Sequence, residues 1–157
     1  MSLHSLRFVF RFLAMTVSIM IAYVGAWAAI DVRWYINLQA VHAFDAQAGS
    51  PVVLDVDRII HRGFVGGYRV EVREVAPPRS FCTTGDVELT YRVEAQLPDV
   101  VTLAFWATGN GCSNKIDRGI PPGRYYVHTC HFVRFSVFFP RRERCEDSNP
   151  FEVFAAP

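Results

Sequence analysis

The feature that most constrains this chain is an uncharged run of nineteen residues, Phe12 to Ile30, near its N-terminus. An α-helix rises about 1.5 Å per residue, so this run is just long enough to cross a hydrocarbon layer of roughly 30 Å. No second run of this kind follows in the sequence. We therefore expect one transmembrane helix over residues 12–30, followed by one small domain.

The charges beside this run predict its orientation. Arg7 and Arg11 precede it, whereas Asp31 and Arg33 follow it and cancel. The positive-inside rule then makes residues 1–11 a cytoplasmic tail and sends the C-terminal domain to the periplasm or the cell exterior. This orientation describes a single-pass membrane protein whose main domain meets an oxidising compartment.

The helix carries two further patterns. Small residues recur at i, i+4 spacing, which suits close packing against another helix; they are Ala14, Ser18, Ala22 and Ala26. Aromatic residues near the outer end favour the headgroup zone of a membrane; they are Trp27, Trp34 and Tyr35. The first pattern predicts helix packing, and the second predicts contact with membrane lipid.

A cleaved signal peptide is the alternative to a retained anchor. Its basic region would be Met1 to Arg11, its apolar core Phe12 to Val24, and its cleavage motif Ala26-Trp27-Ala28. We favour the anchor because the apolar run has the length of a span. Both alternatives send the domain to the same compartment.

The composition after the helix indicates one near-neutral domain. Residues 31–35 are expected to be a juxtamembrane linker and residues 36–157 a single domain of ordinary size. With Arg7 and Arg11 set aside, the chain contains fourteen basic residues and fifteen acidic ones. This balance lacks the basic surface of a nucleic-acid-binding protein, so nucleic acid is not an expected partner.

Four cysteines in an exported domain predict two disulfides, because an oxidising compartment favours paired thiols. Three pairings are open on sequence alone. We favour Cys82 with Cys112 and Cys130 with Cys145, since the second pair would close a short hairpin.

Alternating apolar and polar residues predict an all-β domain. The expected strands are Ile36–Phe44, Val52–Ile60, Tyr68–Val75, Val87–Ala95, Val100–Thr108, Tyr125–Phe139 and Phe151–Phe154. The expected loops between them include His61–Gly67, Gly109–Gly119 and Pro140–Pro150. About seven strands without a capped helical segment fit an immunoglobulin-like antiparallel β-sandwich. Its last strand should be sealed into the core rather than left free for a partner.

The run His128-Thr129-Cys130-His131 is the best candidate for metal ligands, because imidazole and thiolate bind zinc and copper. Strand alternation, however, points His128 and Cys130 one way and His131 the other. A disulfide on Cys130 would also remove its thiolate. The sequence therefore predicts no metal site.

The other polar clusters indicate solvated surface. Asp55 and Asp57 follow strand alternation, and with Asp45 they lack the ligand spacing of a calcium loop. In the 140–150 segment the arginines are interleaved with acids; they are Arg141, Arg142 and Arg144. Motifs of the Gly-x-Ser-x-Gly and His-Glu-x-x-His types are absent from the sequence, as are phosphate-binding glycine loops. We therefore expect a non-enzyme without a cofactor.

The layout of the chain resembles small membrane-anchored proteins found in phage and prophage genomes. The likeness rests on the Pro122-Gly123-Arg124-Tyr125 entry into a late strand, the four cysteines and a final SNPFEV strand. It implies location and architecture, and it carries no functional residues over.

These observations predict a non-catalytic interaction module at the cell envelope, anchored in the membrane and bound to a protein partner. One alternative is an accessory subunit that contacts a membrane complex through its helix. Another alternative is a periplasmic metal or ligand carrier.

Overall fold

A computed structural model describes residues 3–93, 99–109, 111–135 and 140–156. The chain divides into two compact units, Met1–Asp31 and Val32–Pro157. The first unit is one helix, α1, Leu3–Ala29. Within it, Val9–Ala29 is long and apolar enough to cross a membrane. The helix thus covers the expected span but begins earlier, because leucine and arginine before the uncharged run are good helix formers.

The second unit is mostly β. It opens with a 3₁₀ turn, Val32–Trp34, and its strands are β1 Ile36–Ala43, β2 Ala46–Gln47, β3 Val53–Ile60, β4 Phe64–Glu74, β5 Arg79–Thr83, β6 Val87–Tyr91, β7 Val100–Thr102, β8 Gly123–Val133, β9 Arg142–Asp147 and β10 Phe151–Phe154. Two short helices follow β7; they are α2 Leu103–Trp106 and α3 Cys112–Asp117.

The strands form two sheets. The smaller sheet has the antiparallel order β1-β3-β7. The larger sheet is built on the long antiparallel pair β4 and β8. β5 and β6 pair with successive parts of β4, and β10 and β9 pair with successive parts of β8. β2 pairs with β10 in parallel, so this sheet is mixed rather than wholly antiparallel.

Residues from both sheets share one hydrophobic core. Leu54 and Val56 of β3 are fully buried in the same cluster as Val70 and Val72 of β4 and Val127 of β8. These residues occupy alternate strand positions, as expected for strands with one face on a core. The expectation of a mainly β domain is therefore confirmed.

The expected linker folds onto the β unit. Val32 is buried in a second, smaller cluster with Ile36, Phe64, Tyr91 and Val133. The β unit thus begins at Val32 and not at residue 36, because an apolar side chain in the short 3₁₀ turn finds apolar partners there.

Two expected non-helical segments contain helix. The expected strand 100–108 stops at Thr102, whose Oγ1 accepts a hydrogen bond of 3.2 Å from the backbone N–H of Phe105 and caps α2. The expected loop 109–119 contains α3, which buries Cys112 and Ile116, four residues apart, on one face.

The expected loop 61–67 is also wrong, since β4 begins at Phe64. Two positions of this strand, Gly66 and Gly67, are glycines because only hydrogen fits beside the neighbouring backbones. A Cβ at Gly66 would lie 2.1 Å from the Phe132 carbonyl oxygen, and one at Gly67 would lie 2.0 Å from the Val87 carbonyl oxygen. These glycines mark close strand approach rather than a turn.

The remaining differences concern strand ends and edge strands. The expected loop 140–150 contains β9, because its side chains pair across strands: the Arg69 guanidinium lies 2.7 Å from the Glu143 carboxylate.

β5 was not expected. The expected strand 87–95 ends at Tyr91, and its last two residues lie outside the described part of the chain. The expected strand 125–139 ends at Val133, and residues 136–139 also lie outside it. The first, second and last expected strands are confirmed.

Candidate functional site

The β unit contains a cavity of about 300 Å³ lined largely by aromatic side chains. We call it the aromatic pocket and define it by Arg58, Tyr68, Tyr91, Phe105, Trp106 and His131. Both sheets and α2 contribute to it. A mostly apolar concavity with a few converging polar groups is the usual form of a ligand site.

Strand alternation carries the polar residues inward. Arg58 continues the buried phase of Leu54 and Val56 on β3, so its side chain leaves the sheet on the core side. His131 continues the phase of Val127 and Thr129 on β8 in the same way. The pocket therefore results from polar residues placed where the pattern calls for apolar ones.

Three contacts fix the Trp106 ring. Its Nε1–H donates to Thr129 Oγ1 at 3.1 Å, and both side chains are buried. The Tyr68 ring stacks on it with centroids 5.8 Å apart. The Arg58 guanidinium carbon lies 5.0 Å from the ring centroid, a cation–π distance. An indole held on several sides presents a preformed surface to a ligand.

His131 is the buried polar group of the pocket. Its Nδ1 lies 3.3 Å from the Tyr91 hydroxyl. Its Nε2 is buried and has no hydrogen-bond partner among the described residues. Burial, with a smaller contribution from the Arg58 charge, lowers the pKa of His131 to about 4, so the ring is neutral at pH 7. An unsatisfied buried nitrogen is costly, and a ligand atom that bonds to it would offset that cost.

Burial also shifts the pKa values of the other titratable pocket groups, in each case against the charged form. Burial raises the pKa of Tyr91 and of Tyr68, so both phenols stay protonated at pH 7. Burial also lowers the pKa of Arg58, against the attraction of nearby groups such as Asp99. Since a guanidinium titrates far above pH 7, Arg58 remains a cation. The pocket thus offers aromatic faces, one neutral imidazole nitrogen and one positive charge.

A second cluster lies on the opposite face of β8. Cys130 is paired in register with Cys145 of β9, and His128 is paired with Asp147 two positions away. His128 Nδ1 lies 2.5 Å from Asp147 Oδ1. His128 Nε2 lies 3.3 Å from Cys130 Sγ. We call these four residues the disulfide–histidine cluster.

The predicted split of the His128–His131 run is confirmed. His131 faces the pocket, whereas His128 and Cys130 face the other side of the sheet. Pairing with β9 adds a residue that the run alone could not show. Ligand atoms of His128, Cys130 and Cys145 lie within 4.8 Å of one another. As a disulfide the two sulfurs are not thiolates, and so they are not in the form that binds metal.

The cysteine pairing favoured from the sequence is confirmed. Cys82 is bonded to Cys112, which joins β5 to α3, with Cα atoms 5.5 Å apart. Cys130 is bonded to Cys145 across the β8–β9 pair. The first bond lies at the core, where Cys112 is buried, and the second lies at the surface, where Cys145 is exposed.

The candidate carboxylates do not come together. Asp55 and Asp57 are exposed on β3, as the solvent-face prediction requires. Asp45 accepts a hydrogen bond of 2.7 Å from the backbone N–H of Glu152, so it fastens the last strand.

The arginines of the 140–150 segment contact acidic side chains. Arg141 pairs with Asp86 and Glu143. Arg144 lies 2.5 Å from Glu146. Arg142 also has an interaction partner. These contacts favour the solvated charged surface expected from the sequence.

The structure places the helix residues as follows. α1 is continuous, so its small residues at i, i+4 share one face; they are Ala14, Ser18, Ala22 and Ala26. Trp27 lies in its last turn. Trp34 is exposed. Tyr35 makes edge contacts with Phe64 and Phe135, at centroid distances of 5.8 and 5.1 Å, so part of its ring is used inside the β unit.

Sequence reasoning missed the aromatic pocket as a site. One usable signal was Arg58, a charged residue in the apolar phase of a predicted strand. The other members are ordinary aromatic residues whose convergence depends on how four distant elements pack.

Comparison with known proteins finds no matching family model, no matching curated protein and no matching solved structure. The resemblance to phage and prophage proteins therefore stays a prediction, and the case for function rests on the site.

Proposed function

We propose that this chain is a non-catalytic, membrane-anchored binding module whose domain lies outside the cytoplasm and binds a small aromatic ligand in the aromatic pocket. The observation that carries the proposal is the buried, unpartnered Nε2 of His131 in a cavity lined by aromatic rings. This pocket favours a ligand binder among the alternatives open from sequence. A protein partner in the envelope and an accessory role through the helix stay predictions.

The chemistry of the pocket defines the ligand class. A cavity of about 300 Å³ is at the small end of ligand sites, so one or two rings would fill it. Tyr68, Phe105 and Trp106 line the cavity with aromatic surface, and His131 provides one hydrogen bond. Arg58 favours an anionic group at one end of the ligand. An aromatic carboxylate or a similar ring-bearing anion meets all three requirements.

Three observations support the location. Val9–Ala29 has the length and composition of a membrane span. Arg7 and Arg11 precede it, which favours a cytoplasmic N-terminus. Both cysteine pairs are disulfide-bonded, which suits an oxidising compartment.

We further propose that the domain is an immunoglobulin-like sandwich. Two sheets contribute residues to one core, which supports this architecture. The chain also passes from the smaller sheet to the larger one between β1 and β2.

Binding of 4-hydroxybenzoate to the full chain in detergent micelles tests the proposal, measured by saturation-transfer NMR. We expect saturable binding, weakened about tenfold or more by Leu89→Trp, because Leu89 lines the pocket and an indole there would fill it. Val65→Trp is the matched control, since Val65, like Leu89, is an exposed apolar residue on a strand but lies outside the pocket lining.

Cyclohexanecarboxylate, which has the charge without the ring faces, should bind more weakly than 4-hydroxybenzoate. Equal effects of Leu89→Trp and Val65→Trp would contradict the assignment of the site. Absence of saturable binding up to about 10 mM would contradict the ligand class.

A further inference from the structure

We propose that Cys130–Cys145 is an exchangeable disulfide, at which a dithiol reductant passes two electrons to this protein. The site is independent of the aromatic pocket, which lies on the other face of β8. It consists of the disulfide–histidine cluster together with Arg69 of β4.

The two cysteines of this bond differ in exposure. Cys145 is exposed, whereas Cys130 is 1% exposed. An incoming thiolate can therefore reach Cys145 Sγ, and Cys130 Sγ becomes the leaving group. In the other disulfide Cys112 is 2% exposed and Cys82 is half-buried, so neither sulfur belongs to an exposed residue. Access alone predicts a preference for the Cys130–Cys145 bond.

Two side-chain nitrogen atoms lie close to the leaving sulfur. His128 Nε2 lies 3.3 Å from Cys130 Sγ, and Arg69 Nη2 lies 3.9 Å from it. Arg69 is the register partner of Cys130 on β4. Cationic groups beside a thiolate stabilise it, and a stabilised thiolate leaves faster.

Asp147 acts as a positioning residue. Its carboxylate holds His128 Nδ1 at 2.5 Å, which directs Nε2 toward the sulfur. Glu71, the register partner of His128 on β4, adds a second carboxylate near the imidazole. Glu143 Oε1 lies 3.6 Å from Cys145 Sγ and 2.7 Å from Arg69 Nη2. This ion pair has its negative end beside Cys145 and its positive end beside Cys130, which favours the thiolate at Cys130.

The exchange proceeds in two steps that balance. A thiolate of the dithiol attacks Cys145 Sγ, forming a mixed disulfide while the Cys130–Cys145 bond breaks and its electron pair goes to Cys130 Sγ. The second thiolate of the reductant then attacks the reductant's other sulfur atom in the mixed disulfide, and Cys145 leaves as a thiolate. The dithiol ends as a disulfide, and this protein gains two electrons and, on protonation, two protons.

Pairing of β8 with β9 keeps the two cysteines together, so that the disulfide can form again after reduction. β8 and β9 are paired in register on both sides of the bond, from His128 with Asp147 to Val133 with Arg142. The strand hydrogen bonds hold the two cysteines opposite each other after reduction. Cys82 and Cys112, by contrast, come from a strand and a helix that share no ladder.

The test is timed reduction of the full chain in detergent micelles with dithiothreitol, followed by acid quenching, alkylation and peptide mass spectrometry. The Cys82–Cys112 bond is the internal reference. We expect alkylated Cys130 and Cys145 to appear first, with a rate constant about tenfold higher or more. Equal rates, or earlier labelling of Cys82 and Cys112, would overturn the proposal.

Variants separate the chemistry from simple exposure. His128→Ala should slow reduction of the Cys130–Cys145 bond about tenfold at pH 7 and raise the pH at which Cys130 of the reduced protein becomes reactive toward iodoacetamide. His61→Ala, at an exposed histidine outside the disulfide–histidine cluster, should change neither quantity. Asp147→Asn should give values of both quantities between those of His128→Ala and His61→Ala.

A histidine that only supported the strands would behave in the opposite way, since loosening β8 and β9 would speed reduction. Unchanged or faster reduction in both His128→Ala and Asp147→Asn would therefore overturn the assigned role.

Discussion

Two histidines three positions apart on β8 have opposite environments. His128 lies on the outer face, hydrogen-bonded to an exposed carboxylate and close to a disulfide sulfur. His131 lies on the inner face, buried against Tyr91 and Trp106. Alternation along one strand thus gives the molecule two separate polar sites on the two faces of one sheet.

The burial of His131 predicts a pH dependence of stability. Its pKa is lowered from 6.5 to about 4 in the folded chain. Between these values the unfolded chain binds a proton that the folded chain does not, so the free energy of unfolding falls as the pH falls. The contribution is fully present above about pH 6.5 and is lost on acidification toward pH 4, at most about 3 kcal/mol.

Urea unfolding between pH 7 and pH 4 measures this contribution. His131→Phe keeps an aromatic ring and removes the titration, so its stability should fall less steeply with acid than that of the natural chain. His61→Gln, at an exposed position, should follow the natural chain. Parallel curves for His131→Phe and the natural chain would rule out the buried neutral histidine.

At the scale of elements, the last strand shows how a short segment can be tied into the core. β10 lies between β8 and β2, and its Phe151 and Val153 are almost fully buried. The carboxylate of Asp45 accepts the Glu152 N–H and seals the edge. The expectation of a sealed last strand is confirmed for these residues, although Phe154 is 46% exposed.

The two phenylalanines of β10 make a matched pair. Phe151→Ala should lower the free energy of unfolding by about 3–5 kcal/mol, because it leaves a cavity in the core. Phe154→Ala should change it by less than about 0.5 kcal/mol, because the side chain faces solvent. Thermal unfolding of both variants measures these changes. Similar losses of stability in the two variants would mean that β10 is not a core strand.

Prediction from sequence succeeded where a local pattern decides the structure. β-Branched residues located β3, alternation indicated β10, and an even number of cysteines in an exported domain favoured two disulfides. It failed where distant contacts decide. Gly66 lies in a strand that passes close to the Phe132 backbone, and β9 forms a strand by pairing with β8. α2 has only four residues, too few for a helical period to show.

The same distinction applies to the sites. The opposed directions of His128 and His131 followed from alternation alone. Trp106 and Tyr91 meet His131 only after α2 and β6 pack, and Cys145 meets His128 only after β9 pairs. Such convergence is a property of the tertiary structure, and one sequence does not display it.

At the scale of the whole molecule, an apolar N-terminal helix and a disulfide-bonded β unit follow each other along the chain. The helix suits a membrane, and the disulfides suit the oxidising side of one. A ligand site and an exchangeable disulfide on opposite faces of one sheet would both be useful to a domain held at that surface. The central claim is therefore that the β unit is anchored outside the cytoplasm.

Protease accessibility tests this claim most directly. The full chain with a C-terminal epitope tag is expressed in a bacterial host, and spheroplasts are treated with proteinase K before and after lysis. The account predicts that the untreated tagged chain stays in washed membranes with residues 1–11 retained by intact mass, and that the tag is digested in intact spheroplasts. A tag that survives until the membrane is broken, or a mature N-terminus at Ala29, would contradict it.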